Sequence, residues 1–209
     1  MRKRVFLGGF LWVLLLLNFV FSDETKKGTQ ETVASYRVDK AHTNIGFWVR
    51  HMVLSKVHGE FKDYDVVFKW DENNLGNASI EVHIRTASID TDNERRDKHL
   101  KSSDFLAIES YPEIVFESTK IEHDEDGYVA HGTLTIRGVT KNISLPFTVI
   151  GHFVQPDGTT RMGVEASLKI NRFDYNVSWD KKLDTGGLIA GEDVNIDIEA
   201  EFISEDSGS

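Results

Sequence analysis

Alternation of apolar and polar residues, repeated run after run, constrains this chain more than any other feature. Ile80, Val82 and Ile84 alternate with Ser79, Glu81, His83 and Arg85. Val194, Ile196, Ile198, Ala200 and Phe202 alternate with Asn195, Asp197, Glu199 and Glu201, and Met162, Val164, Ala166, Leu168 and Ile170 with Gly163, Glu165, Ser167 and Lys169. Residues 128–136 and 143–149 read the same way, and further strands fit 36–40, 45–50, 60–70 and 113–121. Turn-forming stretches such as "DENNLGN", "DEDG" and "QPDGTT" separate the runs. A period of two puts one face of each strand in a core and the other in water. No set of amphipathic helices accompanies the strands, so only the sheet itself can cover its apolar face. It must close as a barrel or fold over as a sandwich. Small residues on the inward side, Ala130, Gly132, Gly151, Ala166 and Ala200, favour a barrel with room inside, although the same residues would also ease packing at tight corners. The expected fold is all-β, an extended antiparallel barrel of about eight strands with a short helical insert near 92–107. Inward positions that would wall a cavity are Phe47, Ile80, Val82, Ile84, Phe116, Tyr128, Leu134, Phe147, Val164, Leu168, Ile196 and Ile198.

One stretch breaks the alternation: "NERRDKHLKSSDF", residues 93–105. Thr91 and Glu94 form a T-x-x-E capping box, which predicts a helix starting at about Asp92. Asp97 and Lys101, four apart, are spaced to pair on its surface, while Arg96, His99 and Leu100 share a second face. Leu100, Phe105 and Leu106 supply an apolar anchor, so the element has the build of a lid planted in one end of the barrel. Three functional readings stand beside the lid. His99 has the chemistry of a general base oriented by Asp97 or Asp104, yet no nucleophile motif such as G-x-S-x-G accompanies it, and no catalytic residue is assigned. The eight histidines are scattered without H-x-x-x-H or H-E-x-x-H spacing, and no metal ligand is assigned. Arg96 and His99 also have the donors to meet an anionic head group at a barrel mouth.

The ends of the chain differ from its middle. "MRKR" followed by "VFLGGFLWVLLLLNFVF" reads as a signal peptide over 1–22, cleaved near Ser22, with an uncleaved membrane anchor as the alternative. Either reading places the remainder outside the cytoplasm, periplasmic or secreted. Residues 23–35 are polar and without periodicity, as expected of a tether, and 204–209 read as a tail; the folded domain is expected over 36–203. Loss of Arg2, Lys3 and Arg4 takes the formal charge of the 209-residue chain from −10 to −13. Such acidity argues against nucleic-acid binding and against broad adsorption to anionic lipid. Cysteine is absent, which excludes disulfides, thiol catalysis and thiolate metal sites. Asn77, Asn142 and Asn176 match the glycosylation sequon, a motif short enough to recur by chance.

Five stretches, in order, give the chain a familiar outline: "YRVDKAHTNIGFWVRHM", "SIDTDNERRDKHLKSSDF", "YPEIVFES", "GTLTIRGVTK" and "LDTGGLIAGEDVNIDIEAE". Together they resemble the YceI-like family, lipocalin-like polyisoprenoid-binding proteins of the bacterial periplasm, over about 36–202. The resemblance implies a barrel whose apolar cavity holds a long isoprenoid or fatty chain, with the head group near the mouth. Asp39 and His42 match the family's D-x-x-H, and His51 the histidine after its second strand. Arg96, Asp97, His99 and Leu100 match R-D-x-H-L, Lys141 closes G-V-T-K, and Arg172 with Asp174 matches R-x-D. At Tyr175-Asn176 the chain departs from the family's Phe-Gly. On this resemblance the protein carries or sequesters a prenol, prenyl phosphate or quinone-like lipid and needs no cofactor beyond it. Its partner is that long-chain lipid, with a weak homodimer allowed and no nucleic acid. The alternatives are an enzyme acting on such a lipid, or a stress-related barrel with a filled core.

Overall fold

The computed structural model describes residues 33–182 and 189–205. Its strands are β1 (Ala34–Val38), β2 (Asn44–His51), β3 (Ser55–Phe61), β4 (Tyr64–Trp70), β5 (Ser79–Arg85) and β6 (Ile89–Asp90). After the helix α1 (Glu94–Lys101) come β7 (Glu113–Asp124), β8 (Gly127–Ile136), β9 (Val139–Val154), β10 (Thr160–Asn171) and β11 (Ala190–Ser204). Eight of these close an antiparallel ring in the order β1-β4-β5-β7-β8-β9-β10-β11, sealed where β11 returns to β1 through Tyr36↔Ser204 and Val38↔Phe202. Among the described residues the fold is therefore an all-β barrel with one short α-helix.

Closure depends on the length of β11, which serves two partners along one edge. Its C-terminal end pairs with β1, and its middle pairs with β2 through Ile198↔Ile45, Ile196↔Phe47 and Val194↔Val49. Between β1 and β2 the chain makes a 3-10 turn over Lys40–His42, capped by Asp39, whose carboxylate accepts from the Ala41 N–H at 3.1 Å. The continuous strand expected over 60–70 breaks at the matching level. β4 joins the ring through β1, whereas β3 stays with β2 and then β6, so the chain changes partner at Lys62-Asp63 and cannot keep one register. β2, β3 and β6 thus form an extension at one end of the ring.

That other end is filled by aromatic rings. Phe68, 1% exposed, lies with ring centroids 5.0 Å from Phe202 and 5.4 Å from Trp70, and Tyr128 meets Trp70 edge-on at 4.7 Å. Each such pair contributes about 0.5–1.5 kcal/mol beyond its buried area. Backbone proximity explains one inward glycine. β7 bulges between Ser118 and Lys120 opposite Gly132, where a Cβ would lie 2.2 Å from the Glu117 carbonyl oxygen. Gly132 therefore lets strands approach rather than leaving space.

The expected leader (1–22) and most of the expected tether (23–35) lie outside the described residues, as do 183–188 and 206–209. Two boundaries shift within the described part. Ala34 and Ser35, assigned to the tether, open β1, where Ala34 pairs with Trp70 and the Ser35 carbonyl accepts from the Glu205 N–H at 2.8 Å. Ser204, assigned to the tail, ends β11 opposite Tyr36.

Candidate functional site

Inward side chains of the strands do not fill the barrel. They surround a cavity of about 400 Å³ with an almost wholly carbon wall, a size within the roughly 300–1,000 Å³ usual for small-molecule sites. Every cavity position named from the alternation lies on this wall apart from Tyr128. Tyr128 is in phase but too close to its strand's end, and its ring stacks on Phe147 at 5.4 Å as part of the aromatic plug. The small residues divide in the same way: Ala166 and Ala200 face the cavity, whereas Gly151 does not.

α1 closes the opposite end, by a mechanism different from the capping box. The N-cap is Asn93, not Thr91; its Oδ1 accepts from the Arg96 N–H at 3.0 Å, and Asp92 has φ +57° and stays outside the helix. Thr91 faces inward instead of capping. Its N–H and hydroxyl both donate to Asp97 Oδ1, so Asp97 points to the start of the helix and makes no pair with Lys101. The Arg96 guanidinium folds onto the same residue, Nε donating to Thr91 Oγ1 at 2.7 Å and Nη2 to the Thr91 carbonyl at 2.6 Å. Leu100, Phe105 and Leu106 then reach the cavity beside Arg96 and His99.

His99 sits where three elements meet. Nε2 lies 2.9 Å from Asp104 Oδ2, and the ring meets Phe105 and Trp179 edge-on at 4.9 and 5.4 Å. Asp104 is therefore its carboxylate partner, and Asp97 is not. Among the described residues no hydroxyl is hydrogen-bonded to the ring, so Asp104 orients the imidazole at the cavity end and no activated hydroxyl stands beside it.

The remaining signature residues scatter. His51 lines the cavity from the last position of β2. Arg172 also touches it but is 5% exposed, with Nε, Nη1 and Nη2 donating to the carbonyls of Gly191, Val177 and Ala190 at 2.8, 2.5 and 3.0 Å. Burial lowers its pKa, and its role is to tie the segment after β10 to β11. Asp174 and Lys141 face each other at 3.8 Å on the outer surface, away from the cavity. Asp39 and His42 belong to the β1–β2 turn, not to the mouth. Arg161 donates to Asp39 Oδ2 at 2.8 Å and to Glu201, and that guanidinium with His42 holds the Asp39 carboxyl down to about 2. Asp39, His42 and Glu201 are close enough to share an ion, but Arg161 already provides the positive charge between the two carboxylates.

The chain's departure at Tyr175-Asn176 keeps the turn. Asn176 takes φ 58°, ψ 19°, the left-handed region that asparagine tolerates best after glycine, and Tyr175 is buried against the cavity. Sequence reasoning missed Val177, Trp179 and Ile189 on the wall, because they lie in irregular chain where no period marks an inward side.

Comparison with known proteins agrees with this architecture. The family model described as "YceI-like domain" matches residues 36–202. Protein YceI of Escherichia coli O17:K52:H18 is 36% identical over 192 residues, covering 91% of this chain and 97% of that protein. The crystal structure of the Campylobacter jejuni YCEI protein is similar with a TM-score of 0.65 and 34% identity, over 80% of this chain and 96% of that one. A polyisoprenoid binding domain from Saccharophagus degradans shares the fold at a TM-score of 0.57 and 14% identity, over 81% and 98% of the two chains.

Proposed function

The chain belongs to the YceI-like family, and we propose that its barrel binds a long-chain amphiphile of polyisoprenoid type and carries or sequesters it outside the cytoplasm. The observation that carries this reading is the carbon-walled cavity between the aromatic plug and α1. A carbon chain gains about 0.8 kcal/mol for each CH₂ it buries, so such a tunnel needs few polar contacts to hold one. The name of the Saccharophagus degradans relative supports an isoprenoid as the chain, and the cavity itself argues against a barrel of filled core. The leader, followed by an acidic and cysteine-free domain, supports export. Binding without catalysis is the simpler role, because His99 is held by Asp104 and, among the described residues, no hydroxyl is hydrogen-bonded to its ring.

Organic extraction of the purified protein followed by mass spectrometry tests the reading. The expected result is a bound prenol, quinone or related long-chain lipid at stoichiometric amount, held unchanged by the wild type and by His99→Ala alike. Repeated absence of any such lipid, with no uptake of added prenols or quinones, would sink it. Conversion of the lipid by wild type but not by His99→Ala would replace it with an enzyme.

A further inference from the structure

The loop joining β2 to β3 does the opposite of what a soluble hairpin does. Val53 and Leu54, at its tip, are 73% and 84% exposed. Met52 and Val53 have φ of 50° and 65°, a region strongly disfavoured for side chains other than glycine, asparagine and aspartate and most of all for a β-branched one. Strained backbone persists where surrounding structure holds it and where its consequence is useful. Here the consequence is two aliphatic side chains projected into solvent. The hold is visible: the Met52 N–H donates to the Ile189 carbonyl at 2.9 Å, and the Ile189 N–H donates to the Lys181 carbonyl at 3.1 Å, which brings exposed Lys181 alongside.

The strands below the tip are as unusual in charge. From Asn44 to Gly59 the chain has no acidic residue, within a protein of formal charge −10. Arg50 and Lys56 are directly cross-strand partners, both exposed, and like charges so placed destabilise a sheet. Among the described residues neither makes an ion pair. Both instead flank the Trp48 ring, Lys56 Nζ at 3.7 Å and the Arg50 guanidinium carbon at 5.9 Å from its centroid. An apolar tip, a tryptophan behind it and uncompensated cations beside it are the three parts of an interfacial anchor. The same strands border the cavity through Val49, His51 and Val57.

We propose that the β2–β3 hairpin docks on the surface of an anionic lipid bilayer, Val53 and Leu54 entering the head-group layer and Arg50, Lys56 and Lys181 meeting its charge, so that the adjacent cavity end faces the membrane. The acidity of the whole chain does not oppose this. Charges more than about 8 Å from the surface are largely screened at physiological salt, and the tip presents its cations first. Exchange of a chain between membrane and cavity rests on the lipid-binding reading above; docking occurs whether or not the cavity is loaded.

The absence of cysteine allows a single labelled site in the full chain. Leu54→Cys would carry an environment-sensitive nitrobenzoxadiazole group, with Phe153→Cys, also exposed but on the β9–β10 hairpin at the plugged end, as the comparison. On mixing with phosphatidylglycerol–phosphatidylethanolamine vesicles, the label at position 54 should shift to the blue and be quenched by nitroxide-bearing lipid, while phosphatidylcholine vesicles leave it in water. Adding Arg50→Gln and Lys56→Gln should raise the lipid concentration at the titration midpoint roughly twenty-five-fold, about fivefold for each charge removed. A label at 54 that stays in water with anionic vesicles overturns the proposal. So does a response at 153 and not at 54, or a blue shift at 54 that grows with protein concentration in the absence of vesicles, which would make the tip a contact between copies. Lipid extraction decides the cavity's contents separately.

Discussion

At the scale of single residues, part of the signature holds the backbone in place, and Asp39 shows how. Hydrogen bonds from Arg161 first and His42 second hold its carboxyl at about 2, below the ordinary 3.8, and tie the β1–β2 turn to β10. A carboxyl depressed in the folded state stabilises the fold above its ordinary value and loses that contribution as pH falls through the folded value. Wild type should therefore lose urea resistance between about pH 4 and pH 2 more steeply than Arg161→Gln, when midpoints are followed against pH. Equal slopes would remove the ion pair from the account. Glycine and asparagine positions carry similar information. In the Arg137-Gly138 hairpin both residues have positive φ, at 48° and 72°, and a Cβ on Gly138 would lie 2.6 Å from the Tyr111 ring. The G-V-T-K motif thus records a turn. Such residues stand out in a sequence, but whether they serve a ligand or the backbone depends on neighbours distant in the chain, which no local pattern reveals.

At the scale of elements, alternation made the strands legible because each keeps one face on carbon and one in water for most of its length, the exposed end of β9 excepted. The break at Lys62-Asp63 is marked only by a slip of phase, the inward residues being odd-numbered up to Phe61 and even-numbered from Tyr64, where the chain changes strand partner. Charge placement around α1 was legible in kind and shifted in detail. The helix was visible, yet its cap is Asn93 and Thr91 is the hub for Arg96 and Asp97. Because α1 makes its contacts at one end of the barrel, weakening it should open that end without unfolding the ring. Asn93→Ala removes the cap and costs about 1 kcal/mol, which should speed hydrogen exchange of the α1 amides roughly fivefold while the β8 and β10 amides keep their protection. Exchange accelerated evenly across the barrel would show instead that α1 is part of the cooperative core. The same variant should release bound lipid faster, because Leu100 and Phe105 reach the cavity from this element and its connection.

At the scale of the whole molecule, the barrel divides its interior between two uses of apolar surface. Phe68, Trp70, Tyr128, Phe147 and Phe202 satisfy one another at the plugged end, where ring contacts take the place of solvent around all but the partly exposed Tyr128. Farther along, Val164, Ala166, Leu168 and Ile196 face an interior whose volume no side chain of the described residues fills. Close-packed interiors gain dispersion energy that an unfilled one forgoes, so the empty barrel is a less stable form of the same fold. A ligand that binds only the folded state stabilises it by an amount set by its concentration relative to its Kd: about 2.7 kcal/mol at a hundredfold excess. For a domain of this size that corresponds to a rise in Tm of roughly 5–10 °C. Protein stripped by organic extraction and refolded should therefore melt lower than protein as purified, and added prenol or quinone should restore the difference in proportion to the logarithm of its concentration. The restoration should be lost when Ala166→Phe fills the cavity, while the stripped form of that variant melts no lower than stripped wild type. Scanning calorimetry on the five samples decides it: a Tm unchanged by stripping, or restored equally in the filled variant, would place the lipid outside the barrel.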